Sequence, residues 1–532
     1  MARPEITSVG AALEGLVHQF ADPWAFLREL VQNAIDAGSP EIDVSVEHDA
    51  ARGTMVITVA DAGEGMSREI IDTRLTRLFS SAKEGDYTKI GRFGIGFVSV
   101  FALDPAVVCV DTGRTGEHWR VLFRRDRTFE RIRLSEPVEG TTVRLFKEAT
   151  AEEAAAARAK AAETLGYWCK HVRCALRLDG ERVSGPFTVE GLCLTEHEVE
   201  GTSVVMALVE RRSALRGYYH GGLTLHEEHS EALPHVAFKV DSRFLEHTLT
   251  RDDVIRDEHF AKAMAIVGEV ARTRLIAAVF ATLERVAEDP SAVTAAERRL
   301  LYRCAAEVFA AGEPDAAWLQ RAVVPRIGGP PAALAELRGR RRGAQLWRAR
   351  VDSPVCARLK ADGHVVIACE EGDEVERLVH AAVKDKPVAV TTLCTALAIP
   401  AGEADGWRPL QAAMARLLAG SRWKVPGVAV GRLDYPDSPV AGRVAITQAR
   451  LGELTPVAEV GALATGWLAS GRSLVLSAEH PTLRDLKVVA SEEPELAAYL
   501  AVKSFFLHGE LAPELDAELA TLAAEARWRR TQ

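Results

Sequence analysis

The chain has 532 residues, enough for about three to four domains at ~150 residues each, so a small disulfide-stapled scaffold is excluded. Hydrophobic residues make up 48% and charged residues 26%, the balance of a folded globular protein rather than a disordered or fibrous one. Lys and Arg number 65 against 75 Asp and Glu, and the net charge of -10 argues against an overall role in coating nucleic acid or anionic membrane. The eight cysteines form no C-x-x-C pair, so buried thiols in a reducing compartment are expected rather than a zinc or dithiol centre. The segment after Met1 holds no uninterrupted apolar run, and no run of ~18 apolar residues follows, so a cytoplasmic protein without a membrane span is expected.

Residues 11–37 read as helix, with Leu13, Leu16, Val17, Phe20, Phe26, Leu27, Leu30 and Val31 at helical spacing, a break near Asp22-Pro23 and a stop at Gly38. Short alternating or apolar runs at 42–46, 55–59, 107–110, 119–123, 131–134 and 142–146 read as strands of one mostly antiparallel sheet. Helices followed by such strands point to a two-layer α/β sandwich, not a regular βαβ rhythm. An Ala- and Glu-rich helix at 150–164 follows, then short strands from 176 to about 240 and a long amphipathic helix over 260–286. After a Pro- and Gly-containing linker at 325–331, an α/β alternation occupies 351–398, and a mixed segment runs from about 402 to the end.

Four motifs carry chemistry. On the first helix, Glu29, Asn33 and Asp36 stand at i, i+4 and i+7 and share one face. A carboxylate and an amide oxygen one turn apart can orient a water and ligate a hard cation; alone, such a face would be a solvated one. Asp61-Ala62-Gly63-Glu64-Gly65-Met66 closes the second strand with a turn that lets a planar ligand approach the backbone, with Asp61 accepting from an exocyclic amine; a plain turn after a strand is the bland alternative. Gly91-Arg92-Phe93-Gly94-Ile95-Gly96-Phe97 precedes a helix, where backbone N–H groups can gather around phosphate oxygens, or can simply cap the helix. Gly140-Thr141-Thr142-Val143 opens a strand with a hydroxyl suited to a base-binding set, though by itself it is only a strand start.

In this order the four motifs resemble the GHKL ATPases, and Phe26-Leu27-Arg28-Glu29-Leu30 and Ile90-Gly91-Arg92-Phe93-Gly94-Ile95-Gly96-Phe97 resemble most the HtpG and ninety-kilodalton heat-shock chaperone branch. The resemblance implies an α+β chain: a Bergerat-type ATP-binding α/β sandwich at 1–150, a second α/β (middle) domain at 165–325, a small α/β subdomain at 345–420, and a mixed C-terminal domain at 421–532. It implies Mg²⁺ and ATP as cofactor and substrate, Glu29 as general base, Asn33 as the Mg²⁺ ligand, and an ATP pocket of Asn33, Asp36, Asp61, Gly63, Gly65, Met66, Lys83, Gly91, Phe93, Gly94, Ile95, Gly96, Phe97 and Thr141. Residues 75–90 would form a lid, with Lys83 as a phosphate contact.

More faintly, His220-Gly221-Gly222-Leu223 and Phe238-Lys239-Val240-Asp241-Ser242, with Leu249-Thr250-Arg251-Asp252, resemble the chaperone middle domain. This makes Arg251 the arginine offered to the γ-phosphate; a surface arginine paired with Asp252 or Asp253 is the alternative, and Arg256 the fallback. The implied function is an ATP-dependent chaperone that acts on unfolded or partly folded protein clients as a homodimer. Six arginines at 338, 340, 341, 342, 348 and 350, with Trp347 among them, motivate the alternative of a GHKL clamp on nucleic acid. A solvated, ion-paired face is the commoner use of such a stretch.

Overall fold

The computed structural model describes residues 22–76, 95–125, 128–248, 253–312, 315–340, 344–421, 425–461, 471–505 and 512–532. The chain forms two compact units, 1–278 and 279–532. The α+β class expected from the sequence is what the structure shows, with several sheets and the helices that cover them.

The first unit opens with a short turn at Pro23–Ala25, N-capped by the Asp22 carboxylate, and runs directly into α1 (Phe26–Asp36). The strands β1 (Glu41–Asp49), β2 (Thr54–Asp61), β3 (Val107–Arg114), β4 (Glu117–Arg124), β5 (Phe129–Arg133) and β6 (Thr141–Glu148) lie close to their expected places. They are followed by α2 (Ala151–Trp168), begun by a reciprocal Thr150/Glu153 capping box, and by β7 (Ala175–Leu178) and β8 (Glu181–Arg182).

The eight strands make one sheet in the order β5-β4-β3-β6-β2-β1-β7-β8. All neighbours are antiparallel except β1 and β7, which are parallel, so the sheet continues past residue 150 after the chain has crossed it as α2. Strand alternation sends Ile42, Val44 and Val46, Met55, Ile57 and Val59, Val108 and Val110, Val121 and Phe123, and Val143 and Leu145 to a single buried face. Helix α1 contributes Phe26, Leu27, Leu30, Val31 and Ala34 to the same core, and α2 contributes Ala154, Ala157, Ala161 and Leu165. Phe123 sits at the centre of an aromatic cluster, with ring centroids 5.4 Å from Phe97, 6.1 Å from Phe101 and 5.8 Å from Phe129.

The same unit carries a second sheet, β9 (Leu192–Val199), β10 (Thr202–Leu208), β11 (Ala214–His220), β12 (Leu223–Ser230) and β13 (Val236–Ser242), in the order β12-β11-β13-β10-β9. It is fastened to the end of α2: the Thr224 hydroxyl donates to Tyr167 O at 2.7 Å, and Lys170 pairs with Glu227 at 2.8 Å. Helix α3 (Glu258–Val270) is capped by the Asp257 carboxylate and packs on β10 and β13.

The second unit holds a five-stranded sheet built from 322–326, 329–333, 347–349, 366–368 and 388–389, and a four-stranded sheet built from 397–398, 428–432, 445–448 and 473–477. Helices 408–419, 494–505 and 513–531 cover the latter around buried Trp407, Leu410, Met414 and Val502. No described helix is long and apolar enough to cross a membrane.

Replacing Phe123 by Ala removes a fully buried ring that three other rings touch. The expected outcome is a loss of about 3–5 kcal/mol from the first unit, read as a lower denaturation midpoint at unchanged slope.

Candidate functional site

The site grows from the polar ends of the buried sheet face. Asp61, Thr112 and Thr141 continue the alternation that buries Val59, Val110 and Val143, so all three project toward the helix-covered side. The ladder places Asp61 opposite Thr141 and Thr141 opposite Thr112. Three polar side chains therefore stand side by side across β2, β6 and β3, where the apolar core ends.

The Asp61 turn is seated on the end of α1. Asp61 Oδ1 accepts from Gly63 N at 2.8 Å, Glu64 N donates to Ala37 O at 3.0 Å, and Ala62 N donates to Ser39 Oγ at 2.9 Å. Burial pushes the Asp61 carboxyl above its ordinary value, opposed by the backbone N–H groups of Gly63 and Thr141. A half-buried carboxylate that keeps acceptor capacity is suited to a ligand amine. Gly65 adopts φ +63°, and any Cβ there would collide with Gly113 O, so the turn requires glycine twice over, for its backbone angle and for its space.

Thr112 is fully buried and its hydroxyl joins β3 to the start of β6 and to the turn: Met66 N donates to it at 2.8 Å, Gly140 O lies at 3.1 Å and Thr141 Oγ1 at 3.0 Å. The motif reading missed this residue and Ser39. The available signal was a threonine at a core-facing position of the Val108, Val110 alternation, where an unsatisfied hydroxyl is costly.

Glu29 is 6% exposed on α1. A Cβ added to Gly96 would come within 2.5 Å of Glu29 Oε2, so the glycine lets the short helix Ile95–Val98 approach the carboxylate closely. Beside Glu29, the buried Arg28 guanidinium lies 4.7 Å from the Trp168 ring centre of α2, and burial pushes its pKa down to about 10. Asn33 and Asp36 are exposed on α1, and Asp36 Oδ1 accepts from Gln32 Nε2 at 3.0 Å. Met66 is half-buried against the core, and Phe97 is packed into it. Lys83, Gly91, Phe93, Gly94 and Arg251, and most of the expected lid, lie outside the described residues, as does the Ile95 side chain.

The residues on either side of 249–252, the stretch that holds Arg251, are described. His247 bridges Val254, Thr248 N donates to Asp253 O at 2.9 Å, and Ile255 N donates to Glu246 O at 2.8 Å. His247 is held below its usual pKa by burial, with the Arg28 charge acting in the same direction against its hydrogen bond to Thr248 O. His247 is thus within electrostatic reach of Arg28, the residue next to Glu29.

Among the described residues no group of three His, Cys, Asp or Glu side chains could hold a metal ion. A single amide such as Asn33 fits Mg²⁺, which keeps most of its waters and takes its other ligands from phosphate oxygens. In the arginine stretch, Arg338 donates to Ala382 O, Arg340 pairs with Asp385, Arg348 with Glu371 and Glu376, and Arg350 with Asp437. These four are engaged within the fold, which does not favour a nucleic-acid surface; Arg341 and Arg342 lie outside the described residues.

Residues 22–144 match the family model described as "Histidine kinase-, DNA gyrase B-, and HSP90-like ATPase". The chain is 34% identical over 172 residues to the chaperone protein HtpG of Nitrosospira multiformis, covering 26% of this chain and 26% of that protein. It is 28% identical over 193 residues to the mitochondrial heat shock protein 75 kDa of Bos taurus, covering 31% of this chain and 27% of that protein. The chain thus spans about a quarter of the length of the curated relatives it matches. The resemblance read from the four motifs, to the GHKL superfamily and its HtpG branch, is borne out.

Gly65→Ala forces a side chain into a left-handed angle and against Gly113 O. The expected outcome is a loss of about 2 kcal/mol or more, read by thermal unfolding, whereas Gly116→Ala, with open space around it, costs only its backbone strain of about 1 kcal/mol.

Proposed function

We propose that this protein is an ATP-dependent chaperone of the HtpG type, hydrolysing Mg-ATP to close and reopen a clamp on unfolded or partly folded protein clients. The observation that carries the reading is the assembly of Asp61, Thr112 and Thr141 at the end of the buried sheet face, with buried Glu29 on the covering helix and against Gly96, in a segment that matches an ATPase model. The reading includes the domain plan expected from the sequence, a homodimer formed through the C-terminal third, and a cytoplasmic location. Its support is the two curated relatives together with the α+β architecture.

In this account Asp61 accepts from the exocyclic amine of the base and Thr141 joins the nearby water network, while the turn at Gly63 and Gly65 lets the ring lie against the backbone. Glu29, shielded from solvent, orients a water in line with the γ-phosphate and takes its proton. Asn33 supplies one amide oxygen to Mg²⁺, which when bound offsets charge on the phosphates. Arg251 offers its guanidinium to the γ-phosphate oxygens, and an arginine supplied from the middle domain links hydrolysis to domain closure.

Steady-state hydrolysis tests the roles. Glu29→Ala is expected to bind ATP and lose about 10²-fold or more in turnover, and Arg251→Ala to lose on the order of 10²–10³-fold. Unchanged turnover in Glu29→Ala refutes the base assignment.

Binding also has a signed pH dependence. Protonation takes the charge off Asp61 and turns one of its oxygens into a donor, which weakens its hold on an amine, so affinity falls as pH drops through its raised pKa, earlier than an ordinary aspartate would allow. Stability of the unliganded protein moves the other way: a carboxyl with a raised folded pKa costs stability when ionised, and the cost is relieved as pH falls through that value. Calorimetric affinities and unfolding midpoints taken over the same pH series check both signs.

A further inference from the structure

The second sheet carries a buried polar row of its own. The ladder sets Glu227 of β12 and Lys239 of β13 opposite Gly217 of β11, one on each side. The Tyr219 ring fills the room above that glycine, where a Cβ would come within 2.6 Å of it, and the Tyr219 hydroxyl donates to Glu227. Burial raises the Glu227 carboxyl, but Lys170, Tyr219 and Lys239 together outweigh it and hold the group below its ordinary value.

Two consecutive residues between α2 and β7 answer this row. Lys170 pairs with Glu227 at 2.8 Å, and His171 Nε2 lies 2.8 Å from Lys239 Nζ. An ammonium only donates, so Nε2 accepts and the imidazole proton sits on Nδ1, which is buried without a hydrogen-bond partner among the described residues. Burial, with the Lys239 and Lys170 charges acting in the same direction, pushes His171 down to about 4, so it stays a neutral acceptor. Phe187 closes the joint edge-on to both the His171 and the Tyr219 rings, with centroids 5.5 and 5.3 Å away. Gly222, at φ +82°, lies so near His171 O that no Cβ would fit.

Apolar side chains would fill this joint at lower cost than a buried ammonium, a buried carboxylate and an imidazole with an unmet N–H. What the polar set adds is selectivity of placement. His171 is the hydrogen-bond partner of Lys239 among the described residues, and Lys239 is only 8% exposed. A small shift of the second sheet against residues 170 and 171 would therefore strand a buried ammonium and take Lys170 from Glu227, a heavier loss than a few apolar contacts.

We propose that Lys239 and Glu227 are positioning residues for hydrolysis: through His171 and Lys170 they hold the second sheet at a single placement against the ATP-binding sandwich, and turnover depends on that placement. The inference rests on the reading in which the middle domain supplies an arginine to the γ-phosphate, and adds the joint that sets where the second sheet stands.

The test measures turnover at saturating ATP, ATP affinity by calorimetry and the thermal midpoint, all on the full chain. Lys239→Met keeps an unbranched side chain and removes the ammonium. It is expected to bind ATP as wild type does, to unfold at an unchanged or higher temperature, and to lose about tenfold or more in turnover. Lys160→Met, at an exposed ion pair on α2, is expected to leave all three unchanged. Unchanged or faster turnover in Lys239→Met, or turnover, affinity and midpoint falling together, overturns the inference and leaves the joint a purely structural one.

If Lys239→Met does not fold, as judged by circular dichroism, Lys170→Met decides. It removes the partner of Glu227 at a partly exposed position, and the same split is expected, affinity kept and turnover lost; turnover kept overturns the assignment. Binding of ATP without turnover in wild type refutes the hydrolysis reading and the inference with it, an outcome distinct from turnover that the variants leave unaltered.

Discussion

The register of three neighbouring strands holds the site together. Because Asp61 stands opposite Thr141 and Thr141 opposite Thr112, the place where the buried sheet face stops being apolar becomes a row of hydrogen-bonding groups. A slip of one residue in any of the three strands would turn its polar side chain to the other face and replace it by a neighbour of opposite orientation. The valines and leucines along the same strands, at positions 59, 108, 110, 143 and 145, resist that slip, since it would carry them out of the core. Packing energy spent on the core thus also fixes the position of the polar row.

The covering layer is tied to this row at two points. The end of α1 receives the Asp61 turn through Ala37 O and Ser39, which sets how far the Glu29 face stands from the sheet. Farther along, Arg28 packs its guanidinium over Trp168, so the helix that carries Glu29 is also anchored to α2. Through Tyr167 and Lys170, at and just beyond the end of α2, the second sheet is fastened in turn. A path of packed and hydrogen-bonded groups therefore runs from the polar row to the second sheet within one compact unit.

Much of this was legible in the sequence, and the limits are physical. Short alternating or apolar runs at 42–46, 55–59 and 142–146 encoded the strands, and the face shared by Glu29 and Asn33 encoded the helix, because both signals are local. Strand β7 was read as a strand but not as a partner of β1, since a parallel pairing across more than one hundred residues leaves no local trace. Thr112 reads as ordinary β-propensity beside valines; only its three partners, none of them near in sequence, reveal it as the junction. The arginines at 338–350 were ambiguous for the same reason, their partners Asp385, Glu371, Glu376 and Asp437 being distant along the chain.

The central claim is that the polar row receives the base of a nucleotide triphosphate. A structure of the full chain with Mg²⁺ and a non-hydrolysable ATP analogue tests it most directly. The account predicts the 6-amine within hydrogen-bond distance of Asp61, Thr141 reaching the base through a water, the phosphates toward Gly96, and Glu29 facing the γ-phosphate across a water. A nucleotide bound elsewhere, or bound with its ribose or phosphates against Asp61, would contradict it.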